Sequence, residues 1–470
     1  MLNTAVSIRP VLSRAPSRNS ARTHQRPAAF PTVPFVISIT LFLIYTAYAL
    51  REHDRFGTSG YDLGIFNQAV RSYAEGHLPM SEIRTATAPP GFNAKAYPLL
   101  GDHFHPVLAF LAPLYRLAPH VQTLLVAQAA LVAVSAYAVA RAAQRHLPHQ
   151  AWTFTIGLSY GLSWGLQQLI GFDFHEVAFG VPVLALAGSA YLDGRWTKAA
   201  LWAAALLLVK EDLGATVAVF GLVLMRHHRK VGLTLCGLTA LATAAIVLLV
   251  IPAFAPDGRY GYLTQQCSYG ILDGWTAKTA TLLALCVITL GLAFRSPFTF
   301  LVLPTLFWRL TSSNPAYWGV GLHYSAILMP IVFIALIDVL RRGVRLPLTA
   351  PLLVALLLLS VQPLRDLTTA EFWRTDARIS AAREAVRMIP RNARVAASNR
   401  LSPHLTDRAR VYLVADGVLD KVSAVDWIVV DTRETFPAGA APHVSLQAEE
   451  AGWQRVYDRE GILVLQRQSP

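Results

Sequence analysis

Eleven apolar runs dominate the chain between residues 33 and 361. They are 33–50, 121–140, 151–172, 177–192, 199–209, 213–225, 231–254, 277–294, 298–310, 324–340 and 346–361. About 20 apolar residues cross a bilayer core, and backbone groups in lipid must be satisfied within their own segment, so such runs fold as helices. Runs 199–209 and 213–225 are short and predict a tight helix pair meeting at Lys210, Glu211 and Asp212. The pattern predicts an all-α polytopic membrane bundle of about 11 transmembrane helices over residues 32–363, with a long first external loop at 51–120. Composition agrees: 54% of residues are hydrophobic and 15% charged. Soluble domains carry about 25% charged residues, so the composition excludes a disordered chain and argues against an ordinary soluble enzyme.

The net charge of +13 does not point to nucleic acid, because it is unevenly placed. Residues 364–470 hold 15 basic and 14 acidic residues, leaving 26 basic against 14 acidic for the rest. Residues 1–31 form a basic tail, expected to be disordered, with Arg9, Arg14, Arg18, Arg22 and Arg26 and no acid. With that tail in the cytoplasm, the loops on its side carry Arg141, Arg145, Arg195, Lys198, Arg226, Arg229, Lys230, Arg295, Arg341, Arg342 and Arg345 against a single acid, Asp193. The positive-inside rule then places the N-terminus in the cytoplasm and the C-terminal segment outside. Only six of the 41 basic residues are lysine, the bias of a GC-rich bacterial genome. The expected location is therefore a bacterial plasma membrane. The three cysteines have no metal spacing, and neither a GxxxxGK[ST] nor a GxSxG motif occurs.

After residue 363 the pattern changes. Helical periodicity at 376–388, short strand-like runs at 394–398, 410–414 and 426–431, and a hairpin signal at Arg459-Glu460-Gly461 predict a small extracytoplasmic α/β domain over 364–470.

Polar residues unexplained by a lipid-facing bundle fall into clusters, all on or near the external side. Asp62 lies in YDLGIFNQAV, where Phe66, Val70 and Tyr73 recur at helical spacing opposite Asn67, Gln68 and Arg71. That pattern predicts an amphipathic helix in the membrane interface, with Asp62 either its N-cap or a general base. Asp102, His103 and His105 form GDHFHP, and Asp173, His175 and Glu176 form DFHE. Such oxygen and nitrogen sets suit a divalent cation, a substrate's hydroxyls or phosphate, or plain hydrogen bonding. Lys210, Glu211 and Asp212 are three adjacent ionisable groups between apolar helices. They are costly there unless they pair with one another or serve a site, with Lys210 then holding a phosphate. His323 and Tyr324 open the tenth run as interface anchors or headgroup contacts.

YDLGIFNQAV, GDHFHPVLAFLAPLYRL, DFHE and KED, in that order over residues 61–324, resemble an uncharacterised bacterial family of predicted polytopic membrane proteins. That family is in turn similar to the GT-C class of membrane glycosyltransferases. The resemblance implies a GT-C-like bundle, a polyprenyl-phosphate sugar donor, an external domain of the kind found at 364–470, and an acid in the first external loop, which Asp62 matches. Asp102 and His103 come later in that loop, and Asp62 lacks the adjacent acidic partner often seen in the class. Asp62, Asp102 and Glu211 are then the catalytic candidates. His103, His105, Asp173, His175, Glu176, Lys210, Asp212, His323 and Tyr324 are candidates to bind substrate. Asp62, Asp102 and His103 are the candidate ligands of a Mg or Mn ion.

Glycosyl transfer needs a base for the acceptor hydroxyl, positive charge on the leaving phosphate, and an apolar groove for the prenyl tail. A transporter or lipid flippase gated by the same charges, and a non-catalytic envelope assembly protein, are the alternatives. Membrane lipids are partners in every case. The topology predicts that a cysteine placed at Asp257 is labelled from outside by an impermeant reagent, whereas one at His228 is not; the reverse result overturns the orientation.

Overall fold

The computed structural model describes residues 31–468, except positions 90, 93, 264–269, 271, 416, 419–424 and 438. The basic tail therefore lies outside the described residues but for its last position. Four described helices are long and apolar enough to cross a membrane: Thr32–Asp54, Gln122–His146, Arg229–Phe254 and His323–Arg341. Six shorter apolar helices accompany them, including Val177–Leu192 and Leu213–Met225. Several of the apolar runs are interrupted. The run at 151–172 divides at Leu162–Ser163 into Gln150–Gly161 and Trp164–Gly171. The run at 277–294 breaks where Leu290 and Gly291 turn left-handed, and that at 298–310 changes from a tight 3₁₀ segment to Leu303–Thr311 just before Pro304. Proline and left-handed turns end helices, and a hydropathy run does not record them.

The bundle packs in chain order. Thr32–Asp54 lies on Gln122–His146, which lies on Val177–Leu192. Leu328–Arg341 is the central helix, buried at every position from Leu328 to Leu340. Small residues allow these close approaches, as expected where lipid supplies no hydrophobic drive between helices. A Cβ at Gly157 would come within 2.9 Å of both Ala140 and Ile37.

The basic loops meet at one end. Arg145 and His146 reach Asp193, Arg341 donates to the Leu192 carbonyl, and buried Asp338 takes Arg341, Arg342 and Ser296. Each helix from there leads to the other end, where the Asp62, Asp102, Glu176 and Lys210 segments converge.

A two-stranded pair, β1 (Met80–Ser81) with β2 (Tyr97–Pro98), closes part of the first long loop. The C-terminal sheet contains β3 (Arg394–Ala397), β4 (Arg410–Leu413), β5 (Trp427–Asp431), β6 (Gln454–Arg459) and β7 (Ile462–Gln466) in the order β4-β3-β5-β7-β6. The first three run parallel, and β5, β7 and β6 are antiparallel. Helix Ala377–Met388 packs on β6 and β7, and Ala440–Glu450 on β5. The helix Ala377–Met388 and strands β3, β4 and β5 lie within a residue or two of the sequence expectation, whereas the helix Ala440–Glu450 was not expected.

The helix Ile65–Ala74 forms where expected but does not lie free in the interface. Its polar face is buried: Asn67 donates to Thr406 Oγ1 at 2.9 Å and Gln68 to the Val411 carbonyl at 3.0 Å. A face rich in amides reads as water-facing in sequence, but here the C-terminal domain covers it.

Candidate active site

Asp62 sits in a wide π-type turn, Gly60–Gly64, and not at the N-cap of the following helix. The turn is held from below by Asp173, whose Oδ2 accepts from both the Ser59 amide and the Ser59 hydroxyl at 2.8 Å. Asp173 is itself buried in the left-handed region at φ 82°, a conformation Asp tolerates better than most residues. Its carbonyl accepts from Gln128, which in turn receives the His175 amide at 3.0 Å. The expected binding residue Asp173 therefore serves the backbone beneath the cavity and does not line it.

Gly101 sets the next segment. A Cβ there would lie 2.6 Å from the backbone of Phe254 and Ala255, so only glycine lets this loop sit against the end of the long helix. Asp102 then receives a two-pronged bond from Arg84, at 2.9 and 3.1 Å. Burial opposes its charge, but His103 and the Arg84 guanidinium overcome that and hold its pKa at about 2. His103 Nδ1 lies 2.6 Å from Glu211 Oε1, and the Phe104 amide donates to Glu211 Oε2 at 2.9 Å. The Tyr260 hydroxyl adds a third bond to Glu211, at 2.7 Å. Glu211 is likewise held at about 2 against its burial, chiefly by His103. The pairing raises His103 above its ordinary value, since Glu211 and Asp102 outweigh burial and Lys210. His105 is fully enclosed against Phe66, and burial lowers it to about 4.

Lys210 does not pair with its chain neighbours. Its ammonium lies 2.9 Å from Glu176 Oε1, and His175 Nδ1 lies 2.6 Å from Glu176 Oε2. Glu176 is wholly buried, yet His175 and Lys210 hold it well below the usual carboxylate range. Lys210 is raised well above its ordinary value because Glu176, Asp212 and Glu211 surround it and outweigh burial. His323 stacks on His175 at 3.5 Å and lies behind it, away from the cavity, while Tyr324 reaches the lining.

These groups surround one cavity of about 460 Å³. Asp62, Asp102, His103, His105, His175, Glu176, Lys210, Glu211, Asp212 and Tyr324 all line it. Ile65, Leu99, Ala215, Pro304, Phe307 and Trp308 form an apolar flank. Asp62 and Asp212 stand apart from the others. Burial raises Asp62 to about 8, aided by Asp173 and Glu176, and raises Asp212 to about 6 against the pull of Lys210. The expected cation ligands are not assembled: Asp102 is engaged by Arg84 and His103 by Glu211. Among the described residues, no group of three or more His, Cys, Asp or Glu side chains converges closely enough to hold a metal ion.

Sequence reasoning missed Arg84, Tyr260, Tyr262 and Tyr317, which also line the cavity. They lie in loops without periodicity; the aromatic pair in RYGY at 259–262 was the one local signal.

The family profile for DUF2079, predicted membrane proteins, matches residues 52–464. The chain belongs to that family. No curated protein matches it by sequence. The fold of this DUF2079 chain is similar to that of ArnT from Cupriavidus metallidurans, solved as a crystal structure bound to undecaprenyl phosphate. The TM-score is 0.54 at 13% identity, covering 92% of this chain and 97% of ArnT. At that identity the likeness is one of fold.

In the DUF2079 chain, Glu176→Gln leaves the Lys210 ammonium buried without its counter-charge. Breaking a buried pair in this way costs about 3–5 kcal/mol of stability. Thermal or denaturant unfolding in detergent should show the loss, and an unchanged midpoint would remove Glu176 as the anchor of Lys210.

Proposed function

We propose that the protein is a membrane glycosyltransferase that moves a sugar from a polyprenyl-phosphate donor to an acceptor hydroxyl on the outer face of the membrane. The observation that carries this reading is the state of Asp62. Among the described residues its carboxylate makes no hydrogen bond or ion pair, and it opens into the cavity that Lys210 and Arg84 also line. The fold shared with ArnT, whose crystal structure holds undecaprenyl phosphate, supports a polyprenyl-phosphate ligand.

The step proposed is a general-base transfer. Asp62 takes the proton from the acceptor hydroxyl. That oxygen forms a bond to the anomeric carbon as the bond from the anomeric carbon to the phosphate oxygen breaks, and the phosphate leaves with the electron pair. Lys210 and Arg84 neutralise the charge that develops there. A base works best with a pKa near the working pH, and the elevated pKa of Asp62 meets that condition. Asp102 and Glu211 act by holding Arg84 and His103 and are not themselves the base. Phe307, Trp308 and Pro304 seat the first isoprene units of the tail. The ionisable groups gather in loops at one end of the bundle, which suits transfer at a surface better than passage through a midplane site.

Asp62→Asn is expected to lower transfer at least about 100-fold, the scale of general-base catalysis, with normal membrane insertion. Because the base must be ionised, the wild-type rate should rise with pH through about 8 and this limb should vanish in the variant. A variant with full activity would remove the base. Lys210→Ala should weaken binding of undecaprenyl phosphate more than Asp62→Asn does, as read by titration in detergent. Equal affinity in both would refute the phosphate role.

A further inference from the structure

The turn that carries Asp62 has few means of holding itself. Glycine stands at both ends, and no side chain caps the turn or the helix that follows. Glycine ends leave a turn many conformations to choose from. Two of its amide groups are instead satisfied by one residue 338 positions or more away. The Asn399 carbonyl accepts from Gly60 at 2.6 Å, and Asn399 Oδ1 accepts from Tyr61 at 2.8 Å.

Asn399 is itself rigidly placed. It lies just beyond the C-terminal end of β3, the strand between the parallel neighbours β4 and β5. The Ser398 amide bonds the Val429 carbonyl at 2.9 Å, and Ser398 Oγ accepts from Asp431 at 2.9 Å. Ser402, whose hydroxyl is tied back to Ala397 and Ser398, fills the space where a Cβ at Gly60 would sit, 2.5 Å from that position. With Asp173 holding Ser59 from the bundle side, Asp62 is suspended between two anchors in different parts of the fold.

We infer that Asn399 is a positioning residue for Asp62, and that the C-terminal domain serves the reaction by fixing the turn at Gly60 and Tyr61. The inference rests on the reading of Asp62 as the base. A displacement of about 1 Å in a reacting group costs up to about 100-fold in rate, so the contact is large enough to matter.

The test compares four variants of the full chain in membranes of an expressing strain, with that strain's own polyprenyl-phosphate sugars as donors. Asn399→Ala should lower the maximal rate by about 10- to 100-fold with the donor KM nearly unchanged. Asn399→Asp keeps an acceptor oxygen at the same position and should restore most of the rate. Thr406→Val removes the Asn67 contact from the same interface, keeps the methyl that faces Gly64 and leaves the acceptors of Gly60 and Tyr61 in place, and should leave the rate near wild type. Amide hydrogen exchange, which needs no substrate, should quicken at Tyr61 in Asn399→Ala, whose backbone carbonyl still accepts from Gly60, while the helix Ile65–Ala74 stays protected. Wild-type rate and exchange in Asn399→Ala would overturn the proposal. So would an equal loss in Thr406→Val, since Asn399 would then only dock the domain. Full activity in Asp62→Asn would instead defeat the assignment of the base, and the exchange measurement would still judge the contact.

Discussion

The ion pair between Glu176 and Lys210 is the interaction around which the cavity is built. Taking two charges out of water costs several kcal/mol for each, so neither group is tolerable in this position without the other. The pair joins the loop after Trp164–Gly171 to the turn before Leu213–Met225, and the remaining charges are arranged around it. Asp102 has Arg84, Glu211 has His103, and Glu176 has Lys210. Two carboxylates are left over, Asp62 and Asp212, and these are the two cavity acids pushed up, to about 8 and about 6. Burial in low-dielectric walls raises a carboxyl's pKa unless a cation in contact offsets it, and these two have none in contact. The raised pKa of Asp62 is thus a consequence of its burial and of how completely its neighbours are matched.

Much of this was legible in the sequence. Costly polar residues at the ends of apolar runs had to converge or be satisfied locally, and all but Asp173 and His323 of the predicted set reach one cavity. The C-terminal strands were legible because β-branched and apolar residues alternate with turn signals over short distances. What could not be read was partnership. Lys210 has Glu211 and Asp212 beside it in the chain and yet pairs with Glu176, because the turn directs its side chain across the cavity. The interruptions within the apolar runs were hidden for a similar reason: hydropathy is blind to the left-handed residues at Leu290 and Gly291 that end a helix inside an apolar run.

The helix Ile65–Ala74 shows the same limit in another form. Its amphipathicity was correct and its environment was not. Asn67 and Gln68 face protein, and the groups that satisfy them, Thr406 and the Val411 carbonyl, come from a different part of the fold. Polar residues on one face of a helix announce only that hydrogen-bond partners exist, whether water or a buried seam. Here the seam binds the bundle to the sheet domain and continues, through Asn399, to the backbone next to Asp62.

That seam also sets an order of events during biosynthesis. Tyr61 is made 338 residues before the asparagine that receives its amide proton. With translation at roughly 5–20 residues per second, the early loop waits roughly 20–70 s for its partner. By the end of that interval every apolar helix has been made, yet the turn at Gly60 and Tyr61 gains its last hydrogen bonds only once the C-terminal segment has folded.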